Sequence, residues 1–222
     1  MSELEVQTQK LIQDLSQKVH EPTESQDWPT QYWASWIGCA SIMALLTYVA
    51  AALLPDYIHL PTNLRDPRFW VQEGLWLLVA LLSARASYVY SFPTERPRES
   101  ELMLILLMSA LCASLFLAID QISMLRDLGV EAQLDRGPCG GFIALTGALG
   151  AGWMFFVIKR AAPIHLSRTA TYAALSMATL SSALMHLVCT HENPIHVVIW
   201  HLVPVVALGA ASAVLGKKLL RW

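Results

Sequence analysis

Long apolar stretches separated by short polar ones run along most of the chain. Six of them, at about 33–54, 70–91, 101–121, 140–159, 169–189 and 195–216, stay apolar on all sides for roughly the 20 residues a helix needs to cross the hydrocarbon of a bilayer. Strands of a membrane barrel are shorter and alternate with a period of two. The pattern therefore predicts an all-α, polytopic membrane protein with six transmembrane helices. It divides into a tail and linker, 1–31, and a six-helix domain, 32–222. The tail is polar and lacks the short apolar run and small-residue cleavage site of a signal peptide, so the first span is expected to remain as an anchor. Asn193-Pro194 suits the start of the sixth helix, Asn as N-cap and Pro as first helical residue. Trp28, Trp33, Trp36, Trp70, Trp76, Trp200 and Trp222 are expected near span ends as interfacial anchors. Gly147, Gly150 and Gly152 suit close helix packing, and no span is expected to be interrupted near its middle.

Composition strengthens this reading. Of 222 residues, 55% are hydrophobic and 14% charged, against about 25% charged in soluble domains. The mean hydropathy is +0.46. A net charge of −2 leaves no basic field for a polyanion, which excludes a nucleic-acid-binding domain. Six spans put both termini on one side. Placing both in the cytoplasm leaves eleven of the fifteen Lys and Arg in inner segments, and only Arg65, Arg68, Arg126 and Arg136 outside. The excess of basic residues on the cytoplasmic side sets that orientation.

The tail carries its own pattern. Leu4, Thr8, Leu11, Leu15 and Val19, with Ile12 alongside, recur at helical spacing until His20-Glu21-Pro22 stops them. A helix this short is marginal alone in water, so its apolar stripe needs a surface to lie on. Two Lys against six carboxylates make it acidic, which disfavours an anionic leaflet. It either packs on the protein's own inner loops or docks into a groove on a cytoplasmic partner. The second reading makes Leu4, Leu11, Ile12, Leu15 and Val19 the partner-binding residues and favours a basic partner, such as a protein that binds DNA.

The outer face gathers different chemistry. Cys139 stands at the mouth of the fourth span and Cys189 at the end of the fifth, with His186, His191, Glu192, His196, His201 and Asp120 around them. His186 and Cys189, three apart, share a helix face. His196 and His201, five apart, diverge by about 140° on a regular helix, which argues against their acting as a pair. The two thiols can form a disulfide, bind a soft metal with imidazole help, or pack inertly. Joining them would tie the hairpin of spans three and four to that of five and six. No CxxC pair is present, which argues against a thiol oxidoreductase. Cys39 and Cys112 read as apolar packing. Arg85 can snorkel to the inner surface, and Glu73 and Asp120 fall near outer ends where a charge costs little. No buried ionisable relay and no catalytic motif is found. The expectation is a non-enzymatic protein that requires no cofactor, with a transient soft metal at the outer face as an option.

The chain resembles the NrsF family, six-span inner-membrane anti-sigma factors named as negative regulators of sigma F. The resemblance rests on Leu11-Ile12-Gln13-Asp14-Leu15 in the tail and Arg65-Asp66-Pro67-Arg68-Phe69 in the first outer loop. It rests also on a cysteine before span four and another after span five. The run His191-Glu192-Asn193-Pro194, leading to Trp200-His201-Leu202, and the ending Leu219-Leu220-Arg221-Trp222 complete it. It implies a bacterial inner-membrane protein that holds an extracytoplasmic-function sigma factor. It also implies release of that factor when the periplasmic cysteines, Cys139 and Cys189, meet a heavy metal or an oxidant. Two other classes stay open: a small membrane transporter or metal-handling protein with a His/Cys entry site, and a quinone-coupled thiol enzyme, which the missing CxxC disfavours.

Overall fold

A computed structural model describes residues 7–10, 28–53, 67–91, 138–163, 165–189 and 194–221. The third expected span, 101–121, and the tail residues Leu4, Leu11, Ile12, Leu15 and Val19 lie outside these, as do Asp120, His191 and Glu192. The described residues are helical, with no β-strand element among them. The helices are α1 Trp28–Leu53, α2 Pro67–Tyr90, α3 Cys139–Lys159, α4 Leu166–His186, a single turn α5 Pro194–His196, a π-helical segment Val197–Leu202, and α6 Val203–Leu219. Three stretches are long and apolar enough to cross a membrane: α1, α3 and the continuous run Val197–Leu219. They mark the protein as membrane-associated.

The chain forms two compact units, Met1–Ala34 and Ser35–Trp222. In the first, residues 7–10 are helical and exposed. Trp28 and Tyr32 are buried, and Tyr32 meets Trp33 edge to face at 5.4 Å.

In the second unit α4 is the hub, running antiparallel to α2, α3 and α6 and packed against all three. Its sequence explains why it is not among the long apolar helices. Seven of its 21 residues are Ser or Thr, and only Arg168 is exposed. A helix that faces other helices need not be oily; small side chains let backbones approach, and hydroxyls bond across. Ser176 Oγ donates to Ala80 O of α2 at 2.8 Å and accepts from Trp36 Nε1 of α1 at 2.9 Å. Thr146 and Ser181 share a hydrogen bond between α3 and α4. Ser167 Oγ donates to Ala213 O of α6 at 2.7 Å. The large exposed apolar side chains sit instead on the surrounding helices, Leu45 and Tyr48 on α1, Leu149 and Phe156 on α3, Val206 and Val214 on α6.

Glycines set the closest approaches. A Cβ on Gly147 would stand 3.0 Å from the Cα of Ala178, and one on Gly150 3.1 Å from Met177 Sδ, whereas Gly152 meets nothing within 4 Å. Two of the three expected packing glycines therefore do pack, and Gly152 does not. The tryptophans also divide. Trp70 is half exposed as an anchor should be, while Trp36 and Trp76 turn inward and are buried.

The start of the last expected span departs from α-geometry while the helix runs on unbroken. Val203 N–H donates to Val198 O, five residues back, so the ladder between 197 and 202 is π rather than α. Pro204 supplies a cause: its ring carries no N–H and crowds the carbonyl four residues earlier, that of Trp200.

Candidate functional site: a buried thiol–imidazole cluster

Four elements converge at one end of the bundle. Cys139 opens α3, just after Pro138, whose carbonyl accepts from Phe142 N–H at 3.0 Å. Cys189 lies three residues past the end of α4, which closes with an ordinary bond, Leu187 N–H to Ala183 O, and then a tightened one, Val188 N–H to Met185 O. His196 ends α5 and His201 sits inside the π segment. All four side chains are buried, Cys139 and His201 completely.

The Sγ atoms of the two cysteines are in contact, 3.5 Å apart. Cys189 Sγ lies 3.6 Å from His196 Nε2. One ligand atom from each of Cys139, Cys189, His196 and His201 falls within 4.8 Å of every other. The imidazole rings of His196 and His201 are 5.7 Å apart. This corrects the expectation that two histidines five apart diverge. In a π segment hydrogen bonds span five residues, so positions five apart lie on nearly the same side.

Gly140 makes this approach possible. A Cβ there would stand 2.8 Å from Trp200 Cε3 and 3.3 Å from Trp200 O, so any larger residue would push the π segment away from Cys139.

His186 is close to the cluster but outside the four-donor group. Its Nδ1 hydrogen-bonds Glu73 of α2, its ring stacks on Phe69 at 5.2 Å, and its edge meets His201 at 5.6 Å. Glu73 is therefore not a cheap charge near an interface. It is 3% exposed and depends on His186 to offset its burial. Both ring nitrogens of His201 and Oε2 of Glu73 are buried without a hydrogen bond among the described residues.

Sequence reasoning singled out both cysteines and His186, His196 and His201, and the structure brings them together. It missed Glu73 and Phe69, which lie more than a hundred positions from His186 in the chain. It also missed the alignment of the two imidazoles, for which Pro204, three residues after His201, was the available signal.

Two adjacent thiols can give up two protons and two electrons to form a disulfide, or serve with two imidazoles as donors to an ion. The described residues thus form a helical, membrane-associated bundle that carries a buried thiol–imidazole cluster at one end. The NrsF family, negative regulator of sigma F, matches residues 15–222, and the chain belongs to it. The protein is thus a negative regulator of anti-sigma-factor type. Comparison with curated proteins and with solved structures found no match.

Proposed function

We propose that the protein is a six-span inner-membrane anti-sigma factor with both termini in the cytoplasm. It holds an extracytoplasmic-function sigma factor and releases it when a metal or an oxidant reaches Cys139 and Cys189 from the periplasm. Family membership supports the partner class, and the observation that carries the sensing half is the contact between the two cysteine sulfurs at 3.5 Å. A peroxide would convert the pair to a disulfide, the two thiols losing two protons and two electrons while the peroxide becomes two waters. Forming that disulfide shortens the 3.5 Å contact to about 2.0 Å and draws the start of α3 toward the end of α4. Since α4 packs on three other helices, that movement has a path to the opposite face. In this reading the tail residues Leu4, Leu11, Ile12, Leu15 and Val19 grip the sigma factor. Each 1.4 kcal/mol of altered affinity changes its bound-to-free ratio about tenfold.

The full-length tagged protein, purified from gently solubilised native membranes, is expected to bring a sigma factor with it. A chain lacking residues 1–27 should lose that factor. If the factor stays, the inner loops carry the contact; if neither sample contains one, the partner assignment fails. Replacing both cysteines with Ser should abolish induction of a sigma-dependent reporter by cadmium or peroxide, and undiminished induction removes the sensing role. A second reading, a small transporter or metal-handling protein with its entry site at the cluster, would use the same converging thiol and imidazole donors. That reading predicts metal flux in proteoliposomes and no sigma factor.

A further inference from the structure

We propose that Cys139, Cys189, His196 and His201 form one tetrahedral site for a zinc-class divalent ion, Zn2+ or Cd2+, in which both imidazoles are ligands on equal terms with the thiolates. It rests on the regulatory reading above for its consequence, that loading changes the hold on the sigma factor, and on geometry for the site itself.

The distances already fit. Zinc bonds of about 2.3 Å to sulfur and about 2.0 Å to nitrogen imply tetrahedral edges of about 3.8 Å between sulfurs and about 3.5 Å between sulfur and nitrogen. The corresponding separations here are 3.5 Å and 3.6 Å. The remaining donor atoms lie within 4.8 Å of one another, so closing around an ion requires rotation of side chains rather than rearrangement of helices.

A second observation points to a ligand independently. His201 is completely buried and neither of its ring nitrogens has a hydrogen bond among the described residues. A buried imidazole left in that condition is costly unless something binds it. The only departure from α-geometry within the described helices is the π segment that aligns His201 with His196, and such bulges concentrate at functional sites.

Thiolate and imidazole together select borderline-soft ions with tetrahedral preference over Mg2+ or Ca2+. His186 is not among the four converging donors; Glu73 holds its Nδ1, and its ring packs against that of His201.

The test uses the full chain in detergent, reduced and freed of metal, then titrated with Zn2+. One ion per chain is expected, and X-ray absorption at the zinc edge should show two sulfurs at about 2.3 Å and two nitrogens at about 2.0 Å. His196→Ala and His201→Ala should each weaken zinc binding at least tenfold. Cys39→Ser, a buried thiol elsewhere, should leave it unchanged. Since an alanine variant can misfold, the wild-type absorption spectrum decides the ligand set without reference to any variant. Failure to bind zinc stoichiometrically, or a shell with no sulfur or no imidazole, overturns the site. Retention of the sigma factor is scored separately on loaded and chelated samples. A two-sulfur, two-nitrogen site with unaltered retention upholds the site while defeating the regulatory reading.

Discussion

The two ends of α4 are built from similar materials and solve opposite problems. At its N-terminal end four hydroxyls bond to backbone carbonyls. Thr169 Oγ1 donates to Tyr90 O at 3.0 Å, Ser87 Oγ to Thr169 O at 3.2 Å, Ser91 Oγ to Ser87 O at 2.7 Å and Thr171 Oγ1 to Ser167 O at 2.8 Å. Tyr90 stacks on Tyr172 at 5.5 Å, meets His165 edge-on at 6.1 Å and lies under the Arg168 guanidinium. At the other end, among the described residues, both nitrogens of His201, Oε2 of Glu73 and the indole nitrogens of Trp76 and Trp200 have no hydrogen bond. Satisfied buried networks rigidify and specify a structure, whereas partly satisfied ones leave capacity for another species. One end is a fastener, and the other keeps its donors and acceptors available for chemistry.

This contrast breaks most readily at the fastened end. Tyr90→Ala removes a buried ring and three aromatic or cationic contacts and should cost about 3 kcal/mol of stability, in the range of buried aromatic truncations. Denaturant titration in mixed micelles would measure it. Zinc affinity of the protein that remains folded should not change, and a parallel loss would show that the two ends do not function separately. At the reactive end, Glu73→Gln keeps the shape but weakens the hold on His186. Zinc affinity should fall by less than the roughly tenfold typical of a group bonded directly to a metal ligand, since His186 only contacts the ligand His201. Its effect on binding should thus exceed that of Tyr90→Ala while its effect on stability is smaller. Thr169→Val deletes one bond of the fastener without leaving a cavity and should cost about 1 kcal/mol in the same titration, with no effect on zinc.

Much of this architecture was legible in the chain because lipid imposes a simple rule on composition. Five of the six expected segments, 33–54, 70–91, 140–159, 169–189 and 195–216, fall on helices, α1, α2, α3, α4 and the run through α6, displaced by a few residues, and three of these are long and apolar enough to cross a membrane. The rule says less about α4, which is packed among other helices. Nothing in the sequence of α4 announces that its serines and threonines point inward on every side rather than along one polar face. The cluster was partly legible for a similar reason. The order of spans places Cys139 and Cys189 at one end, but helical arithmetic at 3.6 residues per turn separates His196 from His201. Only the π geometry forced ahead of Pro204 restores them. The pairing of Glu73 with His186 joins residues 113 positions apart, and no local pattern encodes it. Both failures arise where tertiary contact overrides a local rule, and both fall at the site.

The smallest effect tests the middle of α4, halfway between its two ends. Ser176 Oγ donates to Ala80 O and accepts from Trp36 Nε1, so one hydroxyl pins both α1 and α2 to the hub. Trp36→Phe removes the indole donor and leaves the serine's own donation intact. Hydrogen bonds between membrane helices contribute about 0.6 kcal/mol on average, and that is the expected loss. Ser176→Ala deletes both bonds and should cost about twice as much, while the double variant should cost little more than Ser176→Ala, because the tryptophan then has no hydroxyl to lose. The comparison is a double-mutant cycle read in mixed micelles. Additive losses would mean that Trp36 acts by filling space and that α1 is held by packing. A coupling near 0.6 kcal/mol would instead make Ser176 the point where the fastened half of the hub joins the half that carries the thiols.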